Sequence, residues 1–259
     1  MRIESAAKTD IGNERGNNED ALGWFPLEDG ELIAGNFYLV ADGMGGEQAG
    51  EIASALVVES FKEYYIQKDA GHADPVGTLK EVFRKANREI IEYVYKHPEK
   101  RGMGSTGVGV HFDEQSVYVG HIGDSRCYRW RDNMLEPLTR DHSLVETLFQ
   151  RGTITAEQRL LHPRRSLVTR AVGVEPEVEP DISTHRLKEQ DLFLLCSDGF
   201  CGHVLDTFIQ EMLQKVYRES SGILAVMAEK LIEIIRSTDT SDNISVMLIR
   251  VSGVAPAKG

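Results

Sequence analysis

The chain has 259 residues, with 29 Lys plus Arg against 41 Asp plus Glu, a formal net charge of −12. Its 41% hydrophobic and 27% charged residues describe an ordinary globular protein and exclude a disordered or fibrous one. The acidic balance argues against a sequence-independent grip on nucleic acid and against docking on anionic lipid.

No run of about 18 apolar residues suggests a membrane span, and the opening MRIESAAKTD lacks the apolar stretch of a secretory signal. The three cysteines, Cys127, Cys196 and Cys201, are too few for a disulfide framework. They suit a reducing compartment, so the cytoplasm is the expected location. There is no repeat, low-complexity segment or linker, and residues 1–252 are expected to form a single domain with 253–259 as a frayed tail.

In chain order, the first clear element is a short apolar strand, Phe37 to Ala41, ending at Asp42-Gly43. A helix follows from about Gln48 to Tyr65. Asp74-Pro75 marks the start of a second, as an N-cap followed by proline in the first turn. Val76, Leu79, Phe83, Ala86, Ile90 and Val94 give that helix an apolar face. Three strands come next, at 106–112, 116–121 and 126–130, and the turn at Asp132-Asn133 makes the last of these half of a hairpin. The stretch 143–185 is mixed, with short helical patterns and several prolines. Asp191 to Cys196 is a buried strand running into Ser197-Asp198-Gly199. Helices are expected at about 203–216 and 222–237, the second with Ile223, Met227, Leu231, Ile234 and Ile235 on one face, and Ile244 to Val251 closes as a strand. Clustered strands separated by helix pairs indicate an α+β layered domain rather than strict βαβ winding.

The acids fall at informative places. Asp42, Asp124 and Asp198 each follow a strand-like run, and Asp242 stands immediately before the last one. Glu19-Asp20 lies in the polar stretch RGNNED, and Asp141 follows the hairpin. Any single Asp-Gly is most simply a turn. Converging on one rim, however, these carboxylates would repel one another strongly and would need cations. Oxygen ligands select hard ions such as Mg²⁺, Mn²⁺ or Ca²⁺, and no HExxH, CxxC pair or close histidine pair points to zinc. Two hard ions about 3.5–4 Å apart, bridged by a carboxylate and a water, make a hydrolytic centre for phosphate esters. Arg15, four residues before Glu19, is the natural candidate to hold phosphate oxygens in bidentate fashion.

Taken together, these residues resemble the PP2C (PPM) type of metal-dependent serine/threonine protein phosphatase, in its bacterial branch. The resemblance rests on Arg15 to Asp20 (RGNNED), Val40 to Gly46 (VADGMGG), Gly104-Ser105-Thr106, Gly123 to Arg126 (GDSR), Asp141-His142, Ser197-Asp198-Gly199 and Asp242-Asn243-Ile244, in the family's order. Each stretch alone is a weak signal; the ordered set is a strong one.

The resemblance implies a central sandwich of two antiparallel β-sheets flanked by helix pairs, with a flap at about 143–185. It implies a binuclear Mg²⁺ or Mn²⁺ centre, with a third ion in some members. Asp42 would bridge the two ions, the Gly43 carbonyl would bind one of them, and Asp198 and Asp242 would complete the site. Glu19 and Asp20 would bind directly or through water. Asp141 is implied as the ligand of the third ion, Asp124 as structural support and Arg15 as the phosphate-binding residue. The reaction implied is in-line attack of a metal-bridging hydroxide on phosphoserine or phosphothreonine. Eukaryotic members carry a histidine, a proposed general acid, where this chain has Met44, so leaving-group protonation is expected to fall to water. His142 is expected to be structural. Phosphorylated proteins, themselves substrates of a serine/threonine kinase, are the partners implied, and a monomer is expected.

Rival readings fare worse. Gly102 to Gly107 spells GxGxxG, but it follows a helix and precedes a strand, the reverse of a dinucleotide site. No P-loop, GxSxG elbow or Cys-x5-Arg occurs, and the cysteines read as small buried apolar groups. A pseudophosphatase that binds phosphoproteins without turnover would be favoured by missing acids, and none is missing. A two-metal nuclease fits the carboxylates but not the charge.

Overall fold

In the computed structural model, residues 1–25, 36–45, 49–67, 74–238 and 240–254 are described. Along the chain run β1 (Arg2–Asp10), β2 (Asp20–Phe25), β3 (Asn36–Met44), helices α1 (Gly50–Gln67) and α2 (Pro75–Lys96), and then β4 (Gly104–Ser105). Next come β5 (Gly107–Phe112), β6 (Ser116–Ile122), β7 (Arg126–Arg131) and β8 (Met134–Pro137). Two short helices, α3 (Leu144–Gln150) and α4 (Ala156–Leu160), precede β9 (Asp181–Arg186) and β10 (Leu192–Cys196). The one-turn α5 (Asp198–Cys201), α6 (Asp206–Glu219), α7 (Leu224–Arg236) and β11 (Ile244–Ser252) complete the order.

The strands build two sheets, ordered β1-β11-β10-β7-β8 and β2-β3-β5-β6-β9, with β4 added beside β3. Every pairing is antiparallel. The period of two along each strand divides its side chains between two cores. Tyr38 and Val40 of β3 meet Phe193 and Leu195 of β10 and Met247 and Ile249 of β11 between the sheets. Their neighbours Phe37, Leu39 and Ala41 face outward onto Val57 and Phe61 of α1 and Leu79 and Phe83 of α2. On the opposite side Leu192, Leu194 and Leu248 pack under Ile209 and Leu213 of α6 and Met227 and Leu231 of α7. The result is a four-layer sandwich, the α+β architecture expected. Covering both faces of an antiparallel sheet explains why FYLVA, DLFLLC and ISVMLIRV read as unbroken apolar runs rather than as alternating patterns.

Asp74 caps α2 as expected, accepting from the Gly77 amide at 2.9 Å with Pro75 in the first turn. The edge strands β1, β2 and β9 carry no such signal, because half of each is solvated and polar. Two expectations are corrected. Residues 181–185, counted at the end of the flap, belong to β9, where they pair with β6; the excursion outside the sheets is therefore 143–180. In α7 the buried face is Leu224, Met227, Ala228, Leu231, Ile232 and Ile235, whereas Ile223 is the N-cap residue and is 55% exposed. Gly46 and Gln48, and residues 255–259 of the expected tail, lie outside the described residues. Among the described residues no helix is long and apolar enough to cross a membrane.

Candidate metal centre

The site forms where the two sheets meet at one end of the sandwich. In one sheet, β2 and β3 place Asp20 directly opposite Asp42. In the other, β10 delivers Asp198 just past its last residue, and Asp242 stands just before β11. Gly199 lets these two chain segments touch: a Cβ there would stand 2.0 Å from the Asn243 carbonyl oxygen. Gly43 is required for the same reason, since its Cβ would lie 1.9 Å from the Gly50 carbonyl oxygen at the start of α1.

Hydrogen bonds lock the backbone around each acid. The Asp42 amide donates to Thr106 Oγ1 (3.0 Å), and the Asp42 carbonyl accepts from the Thr106 amide (2.8 Å) and Ser105 Oγ (3.0 Å). Thr106 Oγ1 is in turn 2.7 Å from Ser125 Oγ, tying this clamp to the loop that carries Asp124. Ser197 Oγ donates to Asp20 Oδ2 at 2.7 Å across the two sheets. Asn243, 3% exposed, is the hub of the N-terminal loop. Its Oδ1 accepts from the Glu19 amide (2.8 Å), and its Nδ2 donates to the carbonyls of Ile11 (2.8 Å) and Asn17 (2.9 Å). Sequence reasoning included Asn243, Thr106 and Ser105 only as motif letters; their role depends on contacts between distant segments.

The electrostatics are those of crowded acids. Burial, followed by the charges of Asp20 and Asp198, pushes the Asp42 carboxyl well above its usual range. Asp198 is raised to about 6 by burial and the neighbouring Asp242, against the opposing effect of its hydrogen bond with Asp42. Asp20 is pushed up to about 7, chiefly by burial. Glu19 is raised by burial, against the pull of Arg15. Arg15, half-exposed, donates through Nη2 to Asp242 Oδ2 at 2.7 Å and stands 4.0 Å from Glu19.

The implied third-ion ligand, Asp141, is held by an arginine. Both Asp141 oxygens accept from Arg126, from Nε and Nη2 at 2.7 Å each, in a buried bidentate pair. Burial alone would raise Asp141, but the guanidinium outweighs it and holds the carboxyl below its usual value. Asp124, read as support, is pushed up by burial and then by Asp198, and it lines one cavity with Asp141, Asp198 and Asp242. His142 accepts from the Gly123 amide at 3.1 Å, a structural bond. All three cysteines are free and buried.

The donor set suits hard divalent ions. Every converging group offers oxygen, and Asp20 Oδ1 and Asp198 Oδ1 are buried with no hydrogen-bond partner. Among the described residues no group of three or more His, Cys, Asp or Glu side chains that could hold a metal ion is found.

A fold of two antiparallel sheets with an oxygen-only acidic rim defines a class of hard-metal hydrolases, and the comparisons identify the family within it. The model of the family Protein phosphatase 2C matches residues 13–236, and the chain belongs to that family. It is 35% identical over 244 residues to the serine/threonine phosphatase stp of Listeria monocytogenes, covering 93% of each chain. It superposes on the serine/threonine phosphatase Stp1 of Staphylococcus aureus with a TM-score of 0.88 at 31% identity, covering 98% of this chain and 96% of that one. The catalytic domain of PstP, crystallised in complex with two manganese ions, gives a TM-score of 0.81 at 34% identity over 96% of this chain and 98% of that one.

Two predictions follow from this geometry. In Asn243→Ala, three part-buried hydrogen bonds to the backbone are lost, so stability should fall by about 1–2 kcal/mol in urea titrations. Mn²⁺ affinity should fall about tenfold or more by calorimetry, because the Glu19-Asp20 loop is no longer held. The second concerns protons. With carboxyls raised to about 6 and about 7, the metal-free site is protonated below those values, and a cation must displace the protons. Mn²⁺ binding at about pH 6 should therefore release protons, the release should diminish as pH rises through about 7, and affinity should rise across that window. The same raised carboxyls make the metal-free fold less stable as pH rises through the window. His121, lowered to about 3 by burial, acts in the opposite sense. Proton release on metal binding isolates the acids, and its absence at about pH 6 would show that they are not crowded.

Proposed function

We infer that this chain hydrolyses phosphoserine and phosphothreonine on proteins at a centre of two hard divalent ions, Mg²⁺ or Mn²⁺. The observation that carries the reading is the convergence of Asp20, Asp42 and Asp198, with Asp20 Oδ1 and Asp198 Oδ1 buried and unpartnered, an arrangement that bound cations would relieve. The serine/threonine phosphatase names of the relatives and the two manganese ions of PstP support it.

In this assignment Asp42 and the Gly43 carbonyl, with Asp198 and Asp242, hold the pair of ions, and Glu19 and Asp20 bind directly or through water. When bound, such ions polarise the phosphoryl group and acidify a water. The chain's own residues do the rest. Arg15 stands at the exposed rim, where its guanidinium can exchange its bond to Asp242 for the phosphate oxygens. The Thr106 clamp fixes Asp42 in the peptide plane that aims its carboxylate into the site. The three thiols are buried, and burial raises those of Cys127 and Cys201, so none of them is poised as a nucleophile. Direct attack by water fits this, and with Met44 where an acid would stand, the leaving oxygen takes its proton from water.

We further assign the chain to the cytoplasm, on the three free thiols, and to a single domain and a monomer whose substrates are made by a serine/threonine kinase. Light scattering of the purified protein tests the monomer directly. For the activity, Mn²⁺ should switch on hydrolysis of p-nitrophenyl phosphate and of a phosphothreonine peptide, and EDTA should abolish it. Asp42→Asn should lower kcat by at least about a hundredfold, the share a metal's charge stabilisation supplies. Full activity in Asp42→Asn would overturn the assignment. Peptide binding without turnover at saturating Mn²⁺ would convert the reading to a pseudophosphatase.

A further inference from the structure

The middle of the flap is basic, although the flap as a whole, residues 143–180, is neutral, with five Arg against five Glu. Residues 151–172 hold five arginines, Arg151, Arg159, Arg164, Arg165 and Arg170, against the single acid Glu157, a formal +4 within a chain of −12. Two of these cations are used internally. Arg159 Nη1 donates to the buried Glu146 at 2.5 Å, which fastens α4 to α3. Arg170 Nη1 donates to Asp181 at 2.8 Å, which fastens the end of the flap to β9.

Arg164 and Arg165 do neither. Both are exposed, and among the described residues neither guanidinium makes a hydrogen bond or an ion pair. Their backbone position is nonetheless fixed: the Arg164 amide donates to His162 Nδ1 (3.1 Å) and the Arg165 amide to the His162 carbonyl (3.0 Å). Arg165 and Ser166 line the same cavity as Asp124, Asp198 and Asp242. Leu161, 83% exposed, and Leu167, 48% exposed, bracket the arginines. Arg164 and Arg165 thus form a basic pair on an ordered turn, flanked by exposed leucines at the mouth of an acidic site.

We propose that Arg164 and Arg165 make the flap a reader of acidic residues flanking the phosphorylated serine or threonine of the substrate. This rests on the phosphatase assignment above. A peptide whose phosphate enters the acidic cavity advances about 3.3–3.5 Å per residue as it leaves, so its neighbouring residues pass the flap turn beside that cavity. There, carboxylates meet unpaired guanidiniums, which bind them in bidentate fashion. The contribution is that of exposed ion pairs, modest in each pair and screened by salt.

The test compares three phosphothreonine peptides with acidic, neutral and basic flanks, using Mn²⁺-loaded enzyme. Each kcat/KM is expressed relative to the same enzyme's rate on p-nitrophenyl phosphate. Wild type should favour the acidic over the basic peptide by about fivefold or more, through KM rather than kcat, and the preference should shrink at about 0.5 M salt. The R164E/R165E variant should reverse it, and R164K/R165K should keep most of it, because charge is retained. Equal rates on all three peptides in wild type would overturn the proposal while leaving the phosphatase assignment intact. So would an acidic preference undiminished in R164E/R165E. Failure of wild type to hydrolyse any peptide or p-nitrophenyl phosphate would instead overturn the phosphatase assignment.

Discussion

Mutual repulsion among buried carboxylates is the constraint on which the rest of this molecule turns. Asp20 and Asp42 are paired across one sheet, and Asp198 and Asp242 arrive from the other. Left to themselves these groups would separate or take up protons, and burial with mutual repulsion raises Asp20, Asp42 and Asp198 accordingly. What keeps them together is not local. It is the three apolar cores that fix β3, β10 and β11 in two stacked sheets, together with the hydrogen bonds of Thr106, Ser197 and Asn243 at the strand ends. Folding thus spends packing energy on an arrangement that becomes favourable only when cations bind, the familiar trade of stability against a prepared site.

Much of this was legible in the sequence, and the limits follow a physical rule. The strands that could be read, such as Phe37 to Ala41 and Ile244 to Val251, are central and are covered on both faces, so their residues are apolar without interruption. Those that could not, β1, β2 and β9, are edges, and RIESAAKTD or DISTHR carries the polar half of an exposed strand. The acids were visible because an Asp after an apolar run is a local pattern. Whether a given acid faces a cation or a guanidinium is not local. Arg126, which follows Asp124 by two residues, folds back to hold Asp141, a pairing that no local pattern announces. Asn243 likewise acts through Ile11, Asn17 and Glu19, partners more than 200 residues away, with separations of 232, 226 and 224.

The charge with which the chain presents itself also divides by region. The total of −12 is concentrated outside the flap, while residues 151–172 carry a formal +4. Divalent ions at the site would offset much of the local negative charge, and Arg15 adds a cation at the rim. A phosphorylated segment therefore meets a face whose sign differs from that of the whole protein, which an average over composition conceals.

The most direct test is a crystal of this protein grown with Mn²⁺ and measured at the manganese edge, where anomalous scattering locates each ion without reference to activity. The account predicts two peaks about 3.5–4 Å apart on either side of the Asp42 carboxylate, with Asp198 and Asp242 as ligands and the Arg126–Asp141 pair intact. A single peak on Asp141, or ions bound away from Asp42, would contradict it.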